Sequence, residues 1–148
     1  MKQITLYGPA DMREALADSS RALWLEMTPF QPNFRTENDL RILRDSSSPE
    51  RKRCGVFRSA PLHEILYLLT EDLLNMAVFS QISEKDLQRV AETTGKPLYL
   101  MADPTEKQLP QKERAYAVTG LCFTAEPSED VQNQLKKPWL LLAADKKK

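Results

Sequence analysis

The chain reads as one compact domain of the α/β or α+β class, a mixed sheet of about five strands with four to five helices. Three observations predict this. Apolar runs of strand length alternate with stretches of helical spacing, a helix-stop glycine leads straight into an apolar strand, and 148 residues suit one ordinary domain.

Lys2 to Tyr7 alternates polar and apolar residues, as a strand with one buried face does. Gly8 ends it, and Pro9 suits the first turn of a helix, where its missing N–H has no intrahelical partner. Met12, Ala15, Leu16 and Ser19 then share a helical face. Residues 21–27 fit either more helix or a buried strand; Trp24, the compact apolar run and the nearby Pro29 favour the strand. Pro29, Pro32 and Asn33 mark a loop, after which Thr36 and Asp39 form an acidic capping pair for a short helix carrying Leu40, Ile42 and Leu43. Residues 45–53 hold nothing apolar and read as a mobile basic loop, with a short strand over 54–58.

Leu62, Ile65, Leu66, Leu69, Leu73, Met76 and Ala77 recur at helical spacing, which predicts a central helix capped by Ser59 and continuing through Ala77. Ser83 with Asp86 opens another helix, Gly95 closes it, and Pro97 prevents its continuation into the strand 98–102. The polar stretch 103–113, with Pro104 and Pro110, reads as an exposed loop. Residues 115–124 form a strand with Gly120 as a bulge, Ser128 caps a short helix, and Trp139 to Ala144 is a last strand before the solvated tail 145–148.

Composition excludes several function classes. The chain has 21 basic and 21 acidic residues, so no global field draws it to nucleic acid or to an anionic membrane. Two cysteines are too few for a disulfide framework, and the N-terminus lacks a signal-peptide core. Leu62 to Phe79 is interrupted by His63, Glu64, Glu71 and Asp72, which argues against a membrane span. A cytoplasmic setting is expected. The four glycines, Gly8, Gly55, Gly95 and Gly120, are too scattered for a phosphate-cradling loop. One histidine and two cysteines cannot supply the four ligands of a structural zinc site, and no Gly-x-Ser-x-Gly elbow occurs. No cofactor or metal is expected on these grounds.

Catalytic candidates are few. Neighbouring cations favour the thiolate of Cys54, yet position 60, where a phosphatase loop needs arginine, is alanine. Cys122 lies in an apolar run and reads as packing, and His63 reads as an ordinary helix residue. Asp103, Glu106 and Glu113 are carboxylates that a fold can bring to a magnesium ion. One local anomaly stands out: residues 41–58 carry six cations against two carboxylates, a local charge of +4. Such a surface docks on an acidic protein or neutralises phosphates.

The leading expectation is therefore a small non-enzymatic interaction protein, a regulator or inhibitor of a larger cytoplasmic assembly. Its contacts would be Arg44, Arg51, Lys52, Arg53, Phe57 and Arg58. Reversing the charges at Arg51, Lys52 and Arg53 is then expected to spare thermal stability. The alternatives are nucleic-acid binding through the same 41–58 patch, and a metal-dependent phosphodiesterase or thiol enzyme.

Overall fold

The computed structural model describes residues 2–8, 12–17, 21–27, 34–58, 60–114 and 118–144. Strands and helices alternate strictly: β1 (Lys2–Gly8), α1 (Met12–Ala17), β2 (Leu23–Met27), α2 (Phe34–Ser46), β3 (Arg53–Phe57), α3 (Leu62–Thr70), β4 (Met76–Phe79), α4 (Glu84–Thr94), β5 (Leu98–Met101), α5 (Leu109–Arg114), β6 (Gly120–Phe123), α6 (Glu129–Gln134) and β7 (Trp139–Ala144). Every neighbouring pair of strands is parallel, and β7 pairs with β1, so the sheet closes on itself. This corrects the expected mixed sheet of about five strands to a closed, all-parallel barrel of seven. The β1–β7 seam is long, from Lys2 opposite Trp139 to Gly8 opposite Ala144. The β1–β2 junction is thin: Tyr7 pairs with Leu23, its N–H donates to the Ala22 carbonyl at 3.1 Å, and the Arg21 guanidinium lies 4.7 Å from the Tyr7 ring centre.

The element that spacing misread is β4. The leucine pattern continues past the end of α3, but the backbone does not. Asp72 adopts a positive φ of 58°, a conformation Asp tolerates better than most residues. Asn75 then locks the new direction, its backbone N–H donating to the Arg53 carbonyl (3.0 Å) and its side-chain amide clasping the Arg53 N–H (2.8 Å) and the Arg51 carbonyl (2.7 Å). A four-residue buried strand, Met76–Phe79, has no alternation of its own to announce it.

Other boundaries also move. The helix α2 begins at Phe34, so Thr36 lies inside it and not at its cap, and it runs to Ser46 into the expected loop. The Oγ of Ser46 donates to the Ile42 carbonyl at 2.6 Å, covering part of its C-terminal end. Part of the expected 103–113 loop is the helix α5. Gly120 pairs in register with Tyr99, with no bulge. Ser83 caps α4 by accepting from the Asp86 N–H at 3.1 Å, Gly95 ends it at φ 63°, and Ser128 accepts from the Val131 N–H at 3.3 Å. Pro9, the 29–33 loop, Ser59 and the 145–148 tail lie outside the described residues.

Side-chain parity divides the core into two shells. Leu6, Cys54, Val56, Met76, Val78, Tyr99, Cys122, Leu140 and Leu142 form one buried cluster, with Trp24 and Met101 packed on it. These alternate positions point into the barrel. The residues between them, among them Phe57, Ala77, Phe79, Leu98, Leu121 and Phe123, join Ile65, Leu68, Leu69, Leu87 and Val90 of the helices in an outer shell. Strands covered on both faces read as continuous apolar runs, which is why their direction was not legible.

Two arginines secure the N-terminal end of β3. Arg53 is 2% exposed and donates to the carbonyls of Leu73 (3.2 Å), Arg51 (3.3 Å) and Asp72 (3.0 Å). Arg51 is equally buried and donates to the carbonyls of Ala15 and Arg21 and to the Ser47 hydroxyl. The expectation that reversing these charges spares stability is therefore overturned. Arg53→Met leaves three carbonyls without their charged donor and is expected to lower the unfolding free energy by about 3 kcal/mol. The exposed Lys52→Met is expected to change it by less than about 0.5 kcal/mol; urea titration of both variants measures the difference.

The two lumen thiols generate a second expectation. Burial, with Cys122 nearby, raises Cys54 well above the ordinary thiol range, and burial pushes Cys122 up to about 12. Both folded thiols hold their protons where the unfolded chain, at about 8.5, releases them. Stability from this source is whole below that value and lost as pH climbs toward 12. Denaturant midpoints measured from pH 7 to 11 should fall in the alkaline half, and the fall should shrink in Cys54→Ala with Cys122→Ala.

Candidate functional site at the barrel mouth

The structure does not bring the six basic-patch residues together. Arg51 and Arg53 are buried at the N-terminal end of β3, and only Lys52 is exposed there. Arg44 lies on α2, bonded to Asp45 (2.9 Å) and to the Glu71 carbonyl (3.0 Å). Phe57 is 2% exposed and stacks on Phe79 with ring centres 5.7 Å apart, so it is core. Arg58 is just past the other end of the strand, about 16 Å of extended chain from Arg53. The +4 local charge is thus spread over both ends of the barrel, and much of it is spent on internal carbonyls.

The chemical candidates also resolve. Cys54 is sealed in the lumen, and its raised thiol range is the reverse of a reactive cysteine's. Glu113 is 1% exposed and holds the Lys136 N–H (3.0 Å) and the Lys137 N–H (3.0 Å), a structural task. Among the described residues no three His, Cys, Asp or Glu side chains gather as a metal site would need. His63 is exposed on the first turn of α3.

Polar chemistry collects elsewhere. The inward parity of five strands, carried past the apolar run, reaches Glu26 on β2, Arg58 after β3, Ser80 after β4, Asp103 after β5 and Thr124 after β6. All belong to the C-terminal ends of the strands. Glu26 accepts from Arg58 Nε at 2.8 Å, and Arg58 Nη1 reaches the Met101 sulfur at 3.4 Å, crossing the mouth over β4. The Ser80 hydroxyl donates to the Arg58 carbonyl at 3.2 Å and fixes that turn.

Beside this pair lies a cleft of about 490 Å³ lined by Ser80, Met101, Asp103, Glu106, Lys112 and Thr124, with Ala102, Pro104 and Ala125. Asp103 accepts from the Thr105 N–H (2.8 Å) and hydroxyl (2.7 Å), and these bonds, the backbone one foremost, hold its carboxyl below the usual range. Glu106 accepts from the Asp103 N–H at 3.0 Å. Lys112 donates to the Met101 carbonyl at 2.9 Å and stands 3.7 Å from Glu106. A fixed carboxylate and an ammonium therefore face one small cleft. Such an arrangement can take a proton and steady the negative charge that results.

Sequence reasoning named Asp103, Glu106 and Arg58 but missed Glu26, Ser80, Lys112 and Thr124 as members of one site. The signal was present. A single polar residue follows each of the short runs 54–57, 76–79, 98–102 and 120–123, and Glu26 stands last but one in 23–27. One polar residue per strand has no spacing to recognise until the strands are known to be parallel and closed.

No protein family matches the chain, and no curated protein sequence does. Solved structures do. Phosphoribosyl anthranilate isomerase from Thermus thermophilus superposes with a TM-score of 0.69 at 18% identity, over 97% of this chain and 76% of that one. A monomeric form of the dimeric phosphoribosylanthranilate isomerase from Thermotoga maritima gives 0.51 at 16% identity, over 97% and 87%. The expectation of a non-enzymatic regulator or inhibitor is corrected by these neighbours, whose fold is an enzyme fold. Among the described residues no helix is long and apolar enough to cross a membrane. At such identities the likeness establishes architecture: the chain is a TIM-barrel-like domain of the kind seen in phosphoribosylanthranilate isomerases.

Proposed function

We propose that the protein is a small-molecule enzyme working by acid–base proton transfer at the C-terminal mouth of its barrel. The observation that carries this reading is the polar crown itself: Glu26, Arg58, Ser80, Asp103, Lys112 and Thr124 surround the strand ends above an apolar lumen. In barrels of this kind that end is where active sites sit, while the opposite end serves stability. The cleft volume of about 490 Å³ suits a metabolite-sized ligand.

In this reading Asp103 accepts a proton from a carbon beside a carbonyl or imine. The released electron pair moves to the heteroatom, and the Lys112 ammonium steadies the charge there. Arg58, braced by Glu26 beside the cleft, draws an anionic substrate toward it. The neighbours are named as isomerases of a phosphoribosyl compound, which makes phosphoribosyl anthranilate and simple aldose phosphates the first substrates to try.

Incubation in D2O with this panel, followed by NMR, should show deuterium entering the substrate at the carbon that exchanges. Asp103→Asn is expected to slow the exchange by roughly 10²–10⁴-fold. No exchange and no conversion with any member of the panel would count against the reading. The pH dependence supplies a separate check. With its carboxyl held below the ordinary aspartate range by the bonds from Thr105, Asp103 stays ionised from neutral pH down to where an unperturbed aspartate would begin to protonate. The rate should therefore show no loss from this group across that span, and Thr105→Val, which removes the hydroxyl bond only, should move the acid limb part of the way back up.

A further inference from the structure

The cleft takes its lining from the ends of β4, β5 and β6 and the segments that follow them, with nothing from β1, β2 or β7. Among the described residues, Trp24 reaches across the opposite arc of the mouth. Trp24 points into the barrel from β2, and its Nε1 donates to the Ala143 carbonyl at 2.9 Å, so the indole passes over β1 to reach β7. The strand it passes ends in Gly8. A Cβ there would lie 2.7 Å from Cε2 and 2.8 Å from Cζ2 of the ring, closer than any real contact. Only a glycine leaves that place for the indole. Because β1 and β2 are so offset that Tyr7 faces Leu23, a residue near the start of β2 reaches the C-terminal ends of β1 and β7.

We infer that Trp24 is the specificity-determining residue of the mouth: its indole holds the β1–β7 arc shut and confines ligands to the β4–β6 arc. The inference rests on the reading of the mouth as a small-molecule site. The ring is fixed at one edge by the Ala143 carbonyl and backed by the bare Cα of Gly8, so it acts as a wall and not as a mobile lid. Removal of the ring frees the volume it takes beside Gly8 and Ala143 at the strand ends. The native site then favours compact ligands, and loss of the indole shifts preference toward bulkier ones by roughly tenfold or more.

Amide NMR on the full chain tests this, with imidazole, benzoate and ribose 5-phosphate as probes. In the native protein the probes should shift the amides of Ser80, Asp103 and Thr124 and leave Gly8 and Ala143 unmoved. In Trp24→Ala the same probes should shift Gly8 and Ala143 as well; Trp24→Leu replaces it if the alanine variant does not fold. Probe shifts at Gly8 and Ala143 in the native chain, or none there in a folded Trp24 variant, would overturn the inference. Silence at Ser80, Asp103 and Thr124 in the native chain counts against the proposed enzyme site, and is read separately from the two amides that decide Trp24. Gly8→Ala gives a further check: solvent exchange of the Trp24 indole N–H should quicken roughly tenfold, the worth of one hydrogen bond.

Discussion

The closure of a parallel sheet on itself is the constraint from which the rest follows. Once β7 lies beside β1, no strand keeps an open edge and every strand must have one face in the lumen. Parallel neighbours require a crossover between each pair, and those crossovers place the helices outside. The same geometry sends every strand's C-terminus to one end. A chain with no recognisable motif thereby gathers Glu26, Arg58, Ser80, Asp103 and Thr124 around one opening, although nearly one hundred residues separate the first from the last.

The two ends of the barrel use charge in opposite ways. At the base, Arg51 and Arg53 are buried and satisfied by carbonyls, and their work is to tie β3 to the turns before β2 and β4. Asn75 reinforces the same junction. At the mouth, Arg58 keeps an exposed guanidinium, and Asp103 and Lys112 keep one side open to a cleft. Burial decides which cation is architecture. Three basic residues in a row gave no hint of that difference, because sequence shows charge but not the carbonyls waiting for it.

Much of the local structure was legible, and the topology was not. The caps at Ser83 and Ser128 and the stop at Gly95 rest on short-range hydrogen bonding and backbone sterics, which a few residues determine. The strand 76–79 escaped because its four apolar residues fell in phase with the helix before them, and the break depends on Asp72 and on Asn75 reaching across to β3. Strand direction escaped for a related reason: covered on both faces, a short strand has no polar side to show its orientation. The site went with it. Asp103 and Arg58 were visible as individual residues, but their common address exists only in the closed ring.

The β1–β7 seam carries a consequence for how the molecule comes into being. Lys2 and Trp139 pair across almost the whole length of the chain, so this ladder closes a very large loop. During synthesis the first strand emerges long before its partner exists, and until then it presents an unpaired edge to its surroundings. Until β7 is in place the sheet stays open, and its two outer strands each keep an unpaired edge.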